Sequence, residues 1–202
     1  MAAISAVFFD VGGVVLTNGW DRTARRRAAQ AFHFDWDEFE ERHELVVADF
    51  ETGRIGLEAY LSSTLFYQPR EFTRKQITGF ILEQSKTYEP ALRVVSALAR
   101  AKKCLVGTLN NESLDLNRYR IEQFHLRDYF DVFFSSCYLG VRKPDRRIFQ
   151  LALQITQRTE QECLFVDDRG LNVESAAGLG MPTLRYRDAE QLEAELRRYE
   201  LL

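Results

Sequence analysis

The feature that most constrains this chain is a recurring one: short runs rich in β-branched and aromatic residues, without polar alternation, each closed by polar residues or glycine. Ile4 to Phe9, Cys104 to Thr108, Val132 to Ser135, Cys163 to Val166 and Thr183 to Tyr186 all read this way. A strand with one wet face alternates. A run without alternation is covered on both faces, the condition of a parallel sheet with helices above and below. Between the later runs lie stretches of helical period. Ala91, Val94, Val95, Leu98 and Ala99 make one stripe; Ile148, Leu151, Ala152 and Ile155 make another; Leu192, Leu196 and Tyr199 make a third. Strand–helix alternation from about residue 90 predicts an α/β domain built on a doubly wound parallel sheet.

Residues 20 to 87 break that rhythm. They hold no comparable β run but show helical patterns over Thr23 to Phe32, Asp37 to Phe50, Leu57 to Leu65 and Glu71 to Ser85, punctuated by Gly53, Gly56 and Pro69. The simplest organisation is a core of residues 1–18 and 88–202 with a helical insert over 19–87. An insert placed directly after the first strand hangs over that strand's carboxyl end, where open α/β sheets bind ligands. A chain of 202 residues can bury about 70 % of its surface and needs no metal or disulfide staple to fold. A net charge of −3 argues against nucleic-acid binding, and 12 % aromatics with four prolines excludes a disordered chain. Cys104, Cys137 and Cys163 show no CxxC or zinc spacing and are expected to be reduced and structural. Met1 to Phe9 is apolar but short, lacks a basic leader and ends at Asp10, so neither a signal peptide nor a membrane span is expected. The expected setting is the cytoplasm, as a monomer or homodimer with no nucleic-acid or membrane partner.

The ends of the predicted strands carry the chemistry. The first run delivers Asp10, followed by Val11, Gly12 and Gly13. The second delivers Thr108, then Leu109, Asn110 and Asn111. The third is followed after a short loop by Lys143, Pro144 and Asp145, and the fourth delivers Asp167 and Asp168. In a parallel sheet, three carboxylates, one hydroxyl and one amine then meet at a single edge. Gathered carboxylates repel one another, and burial raises their pKa values unless a cation compensates. Oxygen-only ligands suit a hard cation such as Mg²⁺, which shares its shell with a phosphate. Thr108 and Lys143 then offer a hydrogen bond and a positive charge to the remaining phosphate oxygens, and phosphoryl transfer is catalysed mainly by such positioning. Each residue alone has a plainer reading: Asp10 as a turn residue, Asp167 or Asp168 as a helix N-cap, Lys143 as a solvated lysine. The specificity lies in the conjunction and its order.

These stretches resemble the haloacid dehalogenase (HAD) superfamily, whose members are mostly Mg²⁺-dependent phosphatases. The matching segments are VFFDVGGVV at 7–15, LVGT at 105–108, GVRKPDRRIF at 140–149 and LFVDDRGLNVESAAGLGM at 164–181, while FETGRIGLEAYL at 50–61 is similar to the small helical cap of one subclass. The resemblance is greatest to small sugar-phosphate phosphatases and to the epoxide hydrolase amino-terminal branch. It implies a HAD-like Rossmannoid sheet with an inserted α-helical cap, a small phosphorylated metabolite as substrate and an aspartyl-phosphate intermediate on Asp10. It further implies that Thr108, Asn110 and Lys143 bind the phosphoryl group, and that Asp10, the Gly12 carbonyl, Asp167 and Asp168 form the Mg²⁺ site. Asn172 matches a position that supports the acidic loop, and Asn111 is a second residue expected to face the substrate.

One departure matters. Most family phosphatases carry a second aspartate two residues after the nucleophile as general acid and base; here that position is Gly12. Such help is typically worth about 10²–10⁴-fold. Two other functional readings therefore stand beside the phosphatase. One is a phosphate- or partner-binding module that keeps the fold without turnover. The other is a 2-haloacid dehalogenase, whose halide leaving group needs no proton but which has no use for a metal site. Phosphonate cleavage would need a Schiff-base lysine in the cap, and neither Lys75 nor Lys86 sits in a recognisable context for it. Trp20, His33, His43 and Tyr60 are candidates for the cap's inner face, read first as ordinary helix packing rather than as substrate contacts.

Overall fold

A computed structural model of the chain describes residues 3–202, so Met1 and Ala2 at the start of the expected core segment lie outside the described residues. Five parallel strands form one sheet: β1 (Ala6–Phe9), β2 (Leu105–Asn110), β3 (Val132–Ser135), β4 (Cys163–Asp167) and β5 (Thr183–Arg185). Their spatial order is β3-β2-β1-β4-β5, with Phe9 registered against Thr108 on one side and Val166 on the other. The first strand is thus central, and its carboxyl end opens into the crevice where the sheet order reverses.

Side-chain alternation along β1 sends the two faces into two separate cores. Val7 and Phe9 join the apolar cluster that contains Val95 and Leu98 of α5 (Glu89–Ala101) and Leu192 and Leu196 of α10 (Ala189–Arg198). Ala6 and Phe8 join the cluster of Phe149 and Ala152 from α8 (Arg146–Thr156) and Ala176 from α9 (Gly170–Ala177). All four β1 residues are buried, which is why the strand reads as a continuous apolar run.

The insert folds as four helices: α1 (Arg22–Phe32), α2 (Trp36–Glu51), α3 (Leu57–Thr64) and α4 (Arg74–Glu83). Asp21, Asp35 and Thr73 cap α1, α2 and α4 through their side-chain oxygens. The helices share an apolar cluster of their own, built around Phe39, Phe50, Tyr60, Leu61, Leu65 and Ile77. The outgoing and returning segments of the insert lie side by side: Thr17 N donates to Lys86 O at 2.8 Å and Tyr88 N to Val15 O at 2.9 Å. Glu51, from α2, meets the core through an ion pair with Arg142 at 2.6 Å and a hydrogen bond from Ser136 Oγ, in α7 (Ser136–Leu139), to its carbonyl, also at 2.6 Å. Among the described residues, no helix is long and apolar enough to cross a membrane.

Two elements depart from expectation. The strand β2 runs two residues beyond Thr108, because Leu109 still packs fully buried against the sheet core and Asn110 still pairs with Ser135. A further helix, α6 (Leu114–Gln123), has no apolar period, since its buried stripe is Leu116, Asn117, Arg120 and Ile121.

Candidate active site

The carboxyl edge of the sheet and the underside of α1 and α2 enclose a cavity of about 490 Å³. At its floor Asp10, Asp167 and Asp168 each offer an oxygen, all within 4.8 Å of one another. Lys143 Nζ stands 3.0 Å from Asp10 Oδ1 and 2.6 Å from Asp167 Oδ2, and both Lys143 and Asp167 are almost wholly buried. Asp167 is held by three donors: Lys143, the Arg169 N–H at 2.8 Å, and Asn172 Nδ2 at 3.1 and 3.0 Å from its two oxygens. Lys143 is held through its backbone, where Asn111 Oδ1 accepts from Lys143 N at 2.8 Å and Asn111 Nδ2 donates to Lys143 O at 2.9 Å. Neither Asp167 nor Asp168 is the N-cap of α9; that position is Arg169.

The electrostatics are out of balance. Three carboxylates face one ammonium, leaving two formal negative charges in a buried site. Burial pushes the Asp10 pKa up to about 7; Lys143 opposes that rise and the Asp167 carboxylate adds to it. Asp168 is likewise raised, first by burial and then by Asp167, and its Oδ1 is buried without a hydrogen-bond partner. A buried carboxylate with an unpartnered oxygen, gathered with two other carboxylates, is what a hard divalent cation would satisfy, and the oxygen-only donor set suits Mg²⁺. The residues present therefore fit such an ion.

The two glycines after Asp10 are fixed by this packing. Gly13 has φ +81°, and a Cβ there would sit 2.3 Å from Asp168 Oδ2, so only glycine lets the acidic loop close on the β1 turn. At Gly12 a Cβ would lie 2.9 Å from Asn18 Oδ1, so a side chain at this position requires the Asn18 amide to shift.

Of the residues expected at the site, Asp10, Gly12, Lys143 and Asp168 line the cavity, with Asp167 sealed directly beneath them. Thr108 and Asn110 do not line the cavity. The Thr108 side chain is fully buried beside Phe9, its Oγ1 without a partner, because β2 continues past it. Asn110 accepts from Ser135 Oγ at 2.9 Å and donates to Asn117 Oδ1 at 3.3 Å, so its amide is committed beneath the cavity floor. Its neighbour Asn111 lines the cavity instead.

Two constellations escaped the sequence reading. Arg120, almost wholly buried, pairs with Glu112 at 2.7 Å and donates to Ser85 Oγ and Thr17 O, both at 3.0 Å. It thereby ties both linkers of the insert to the core. Burial raises the Glu112 pKa against the pull of Arg120. The second constellation is Trp20, His43 and Tyr60, where Trp20 Nε1 donates to Tyr60 Oη at 2.9 Å and His43 Nδ1 lies 2.8 Å from the same oxygen. Trp20 and His43 line the cavity; His33, by contrast, ends α1 on the exposed surface.

Comparison with known proteins adds the following. Residues 4–180 match the family described as haloacid dehalogenase-like hydrolase. Phosphatase MT3486 of Mycobacterium tuberculosis (strain CDC 1551 / Oshkosh) is 30 % identical over 191 residues, 89 % of this chain and 85 % of that one. Bifunctional epoxide hydrolase 2 of Sus scrofa is 31 % identical over 132 residues, 63 % of this chain but 24 % of that protein, so this chain spans about a quarter of it. The HAD family enzyme bt-2542 of Bacteroides thetaiotaomicron, solved as a magnesium complex, superposes with a TM-score of 0.81 at 21 % identity, covering 97 % of this chain and 100 % of that one.

Proposed function

The chain belongs to the haloacid dehalogenase-like hydrolases, and on that premise we propose that it is a Mg²⁺-dependent phosphatase acting on a small phosphate monoester through Asp10. The observation that carries this reading is the buried floor of the cavity, where three carboxylates converge on one ammonium and leave a charge deficit that a divalent cation fits. Asp10, Asp167, Asp168 and the Gly12 carbonyl would hold the ion, and the ion would neutralise charge on the phosphoryl oxygens. In this reading residues 19–87 are a cap over a core of 1–18 and 88–202, and the substrate is a small phosphorylated metabolite.

The chain's own residues divide the work. Asp10 Oδ attacks phosphorus as the ester oxygen departs, forming an aspartyl-phosphate that water then hydrolyses to inorganic phosphate. Lys143, steered by Asn111 and Asp167, keeps a positive charge beside the attacking carboxylate and against the phosphoryl oxygens. Asn172 and the Arg169 N–H keep Asp167 oriented. Thr108 and Asn110 do not line the cavity, so in this reading phosphate recognition falls chiefly on Lys143. Gly12 brings no acid to the leaving group, so esters with good leaving groups are favoured.

The test is hydrolysis of p-nitrophenyl phosphate with and without Mg²⁺, with Asp10→Asn as the blank. Mg²⁺-dependent release that vanishes in the variant is the expected result. The absence of a carboxylate at Gly12 is the observation that favours the second reading, a phosphate-binding module without turnover. Phosphate binding with no release from any ester would establish it in place of the first.

A further inference from the structure

Behind the cavity roof the cap core is apolar, with aromatic rings set among alanine, leucine and isoleucine side chains, yet three polar groups meet within it. Phe50 stacks on Tyr60 with ring centroids 4.2 Å apart, and Phe39 lies parallel to His43 at 6.1 Å. Tyr60 is fully buried, so its hydroxyl must place both its hydrogen and a lone pair within the protein. The indole Nε1–H of Trp20 can only donate, so the Tyr60 oxygen accepts from it. The Tyr60 hydrogen then goes to His43 Nδ1, its other partner at 2.8 Å. The opposite polarity, with Nδ1–H donating, would strand the phenolic hydrogen in an apolar interior. Satisfying the whole chain therefore fixes His43 as the neutral Nε2–H tautomer. Among the described residues Nε2 has no partner, it is not among the sealed unpaired atoms, and His43 lines the cavity.

We propose that His43 is a specificity-determining residue that presents a fixed Nε2–H donor to an acceptor oxygen on the organic portion of the phosphate ester. Trp20 and Tyr60 are positioning residues acting through it. The inference rests on the phosphatase reading and narrows its substrate class. The upper cavity is lined by Arg22, Arg25, Glu44, Glu51 and Arg142 around His43, a surface for a hydroxylated or carbonyl-bearing leaving group rather than a hydrocarbon chain. Burial and the Arg25 charge keep the imidazole neutral, with a pKa near 4, so the donor keeps one form across the neutral range.

The experiment has two arms on the full chain. The first reads the His43 tautomer from the ring ¹⁵N shifts of labelled protein at pH 7.5, independently of activity. Nε2–H in the wild type and a mixture of tautomers in Tyr60→Phe are expected. A wild-type Nδ1–H or imidazolium signal overturns the proposal. The second arm compares kcat/KM for glycerol phosphate with that for phenyl phosphate, which offers no acceptor beyond its ester. His43→Phe is expected to lower that ratio about tenfold, mainly through KM. His43→Gln, which brings an amide N–H to where Nε2 stands, should retain most of it. An unchanged ratio in a folded, active His43→Phe overturns the proposal and leaves the phosphatase standing. Failure of the wild type to hydrolyse either ester overturns both, and if His43→Phe does not fold, the tautomer arm decides.

Discussion

The floor and the roof of the cavity are built on opposite principles. At the floor, Asp10, Asp167 and Asp168 follow strand ends, and Lys143 follows a short loop, so each is carried by backbone that the sheet register fixes. At the roof, the polar groups come from the segment before α1 (Trp20), from α2 (His43) and from α3 (Tyr60), and they hold one another in place. The floor is under electrostatic stress: Asp10 and Asp168 are pushed toward protonation and one carboxylate oxygen has no partner. In the roof's chain, each donor and acceptor except the one facing the cavity is satisfied. A stressed, preorganised floor suits chemistry, since its charges are eased only when ligands arrive. A relaxed roof suits recognition, since it offers one defined donor and asks for nothing else.

That contrast can be broken in order of effect. Removing the proposed nucleophile should be decisive at the floor and silent elsewhere. Asp10→Asn is expected to lower turnover by about 10³-fold or more with unchanged circular dichroism, and retained turnover would remove Asp10 from its role. Next comes the seam between the two regions. Arg120→Met leaves the Glu112 carboxylate buried without its partner, an effect of about 3–5 kcal/mol in urea unfolding, and the double variant with Glu112→Gln should recover much of it. If the single variant unfolds like the wild type, the pair does not hold the linkers.

A smaller effect belongs to the roof. His43 is neutral in the fold, with its pKa lowered from 6.5 to about 4 by burial and Arg25, while in the unfolded chain it takes a proton below about 6.5. Its contribution is therefore fully present above pH 6.5 and lost as pH falls toward 4, about 2 kcal/mol between pH 7 and 5. Urea midpoints of His43→Gln should fall less steeply over that interval than those of the wild type. Equal slopes would mean the imidazole is protonated in the fold. The mildest test sharpens the floor. Gly12→Asp should raise kcat about tenfold on alkyl phosphates and less on aryl phosphates. Because the new Cβ meets Asn18 Oδ1 at 2.9 Å, adding Asn18→Ala should enlarge the gain. Equal changes on both ester types would show that leaving-group protonation is already supplied.

The same contrast decides what could be read from the chain. The floor was legible because strand ends carry their functional residues within a few positions of an apolar run, and the order of runs gives the order of groups. Where a run misjudged its own end, the error propagated. The β2 run reads as stopping at Thr108, yet Leu109 remains in the core and Asn110 in the ladder, so the residue that reaches the cavity is Asn111. The four insert helices were legible by period, though Glu71 and Ser85 fall outside the last of them. Thr73 and Gln76 form a reciprocal cap that starts it at Arg74, and it ends at Glu83. The helix α6 was not legible: its inward face carries Asn117 and Arg120, which serve the seam and erase the apolar stripe. The roof's chain could not be read either, because residues 20, 43 and 60 share no spacing and meet only through the packing of separate elements.

The side-by-side linkers at Thr17–Lys86 and Val15–Tyr88 have a consequence for how such a molecule changes over time. Because the chain leaves the sheet and returns to it at neighbouring points, the inserted segment is a graft whose length and contents impose no strain on the strands below. Roof residues can be exchanged, lengthened or rewired for a new leaving group while the register that gathers Asp10, Lys143 and Asp167 stays as it is. Selectivity and chemistry are then separately inheritable, joined by covalent linkers that lie side by side.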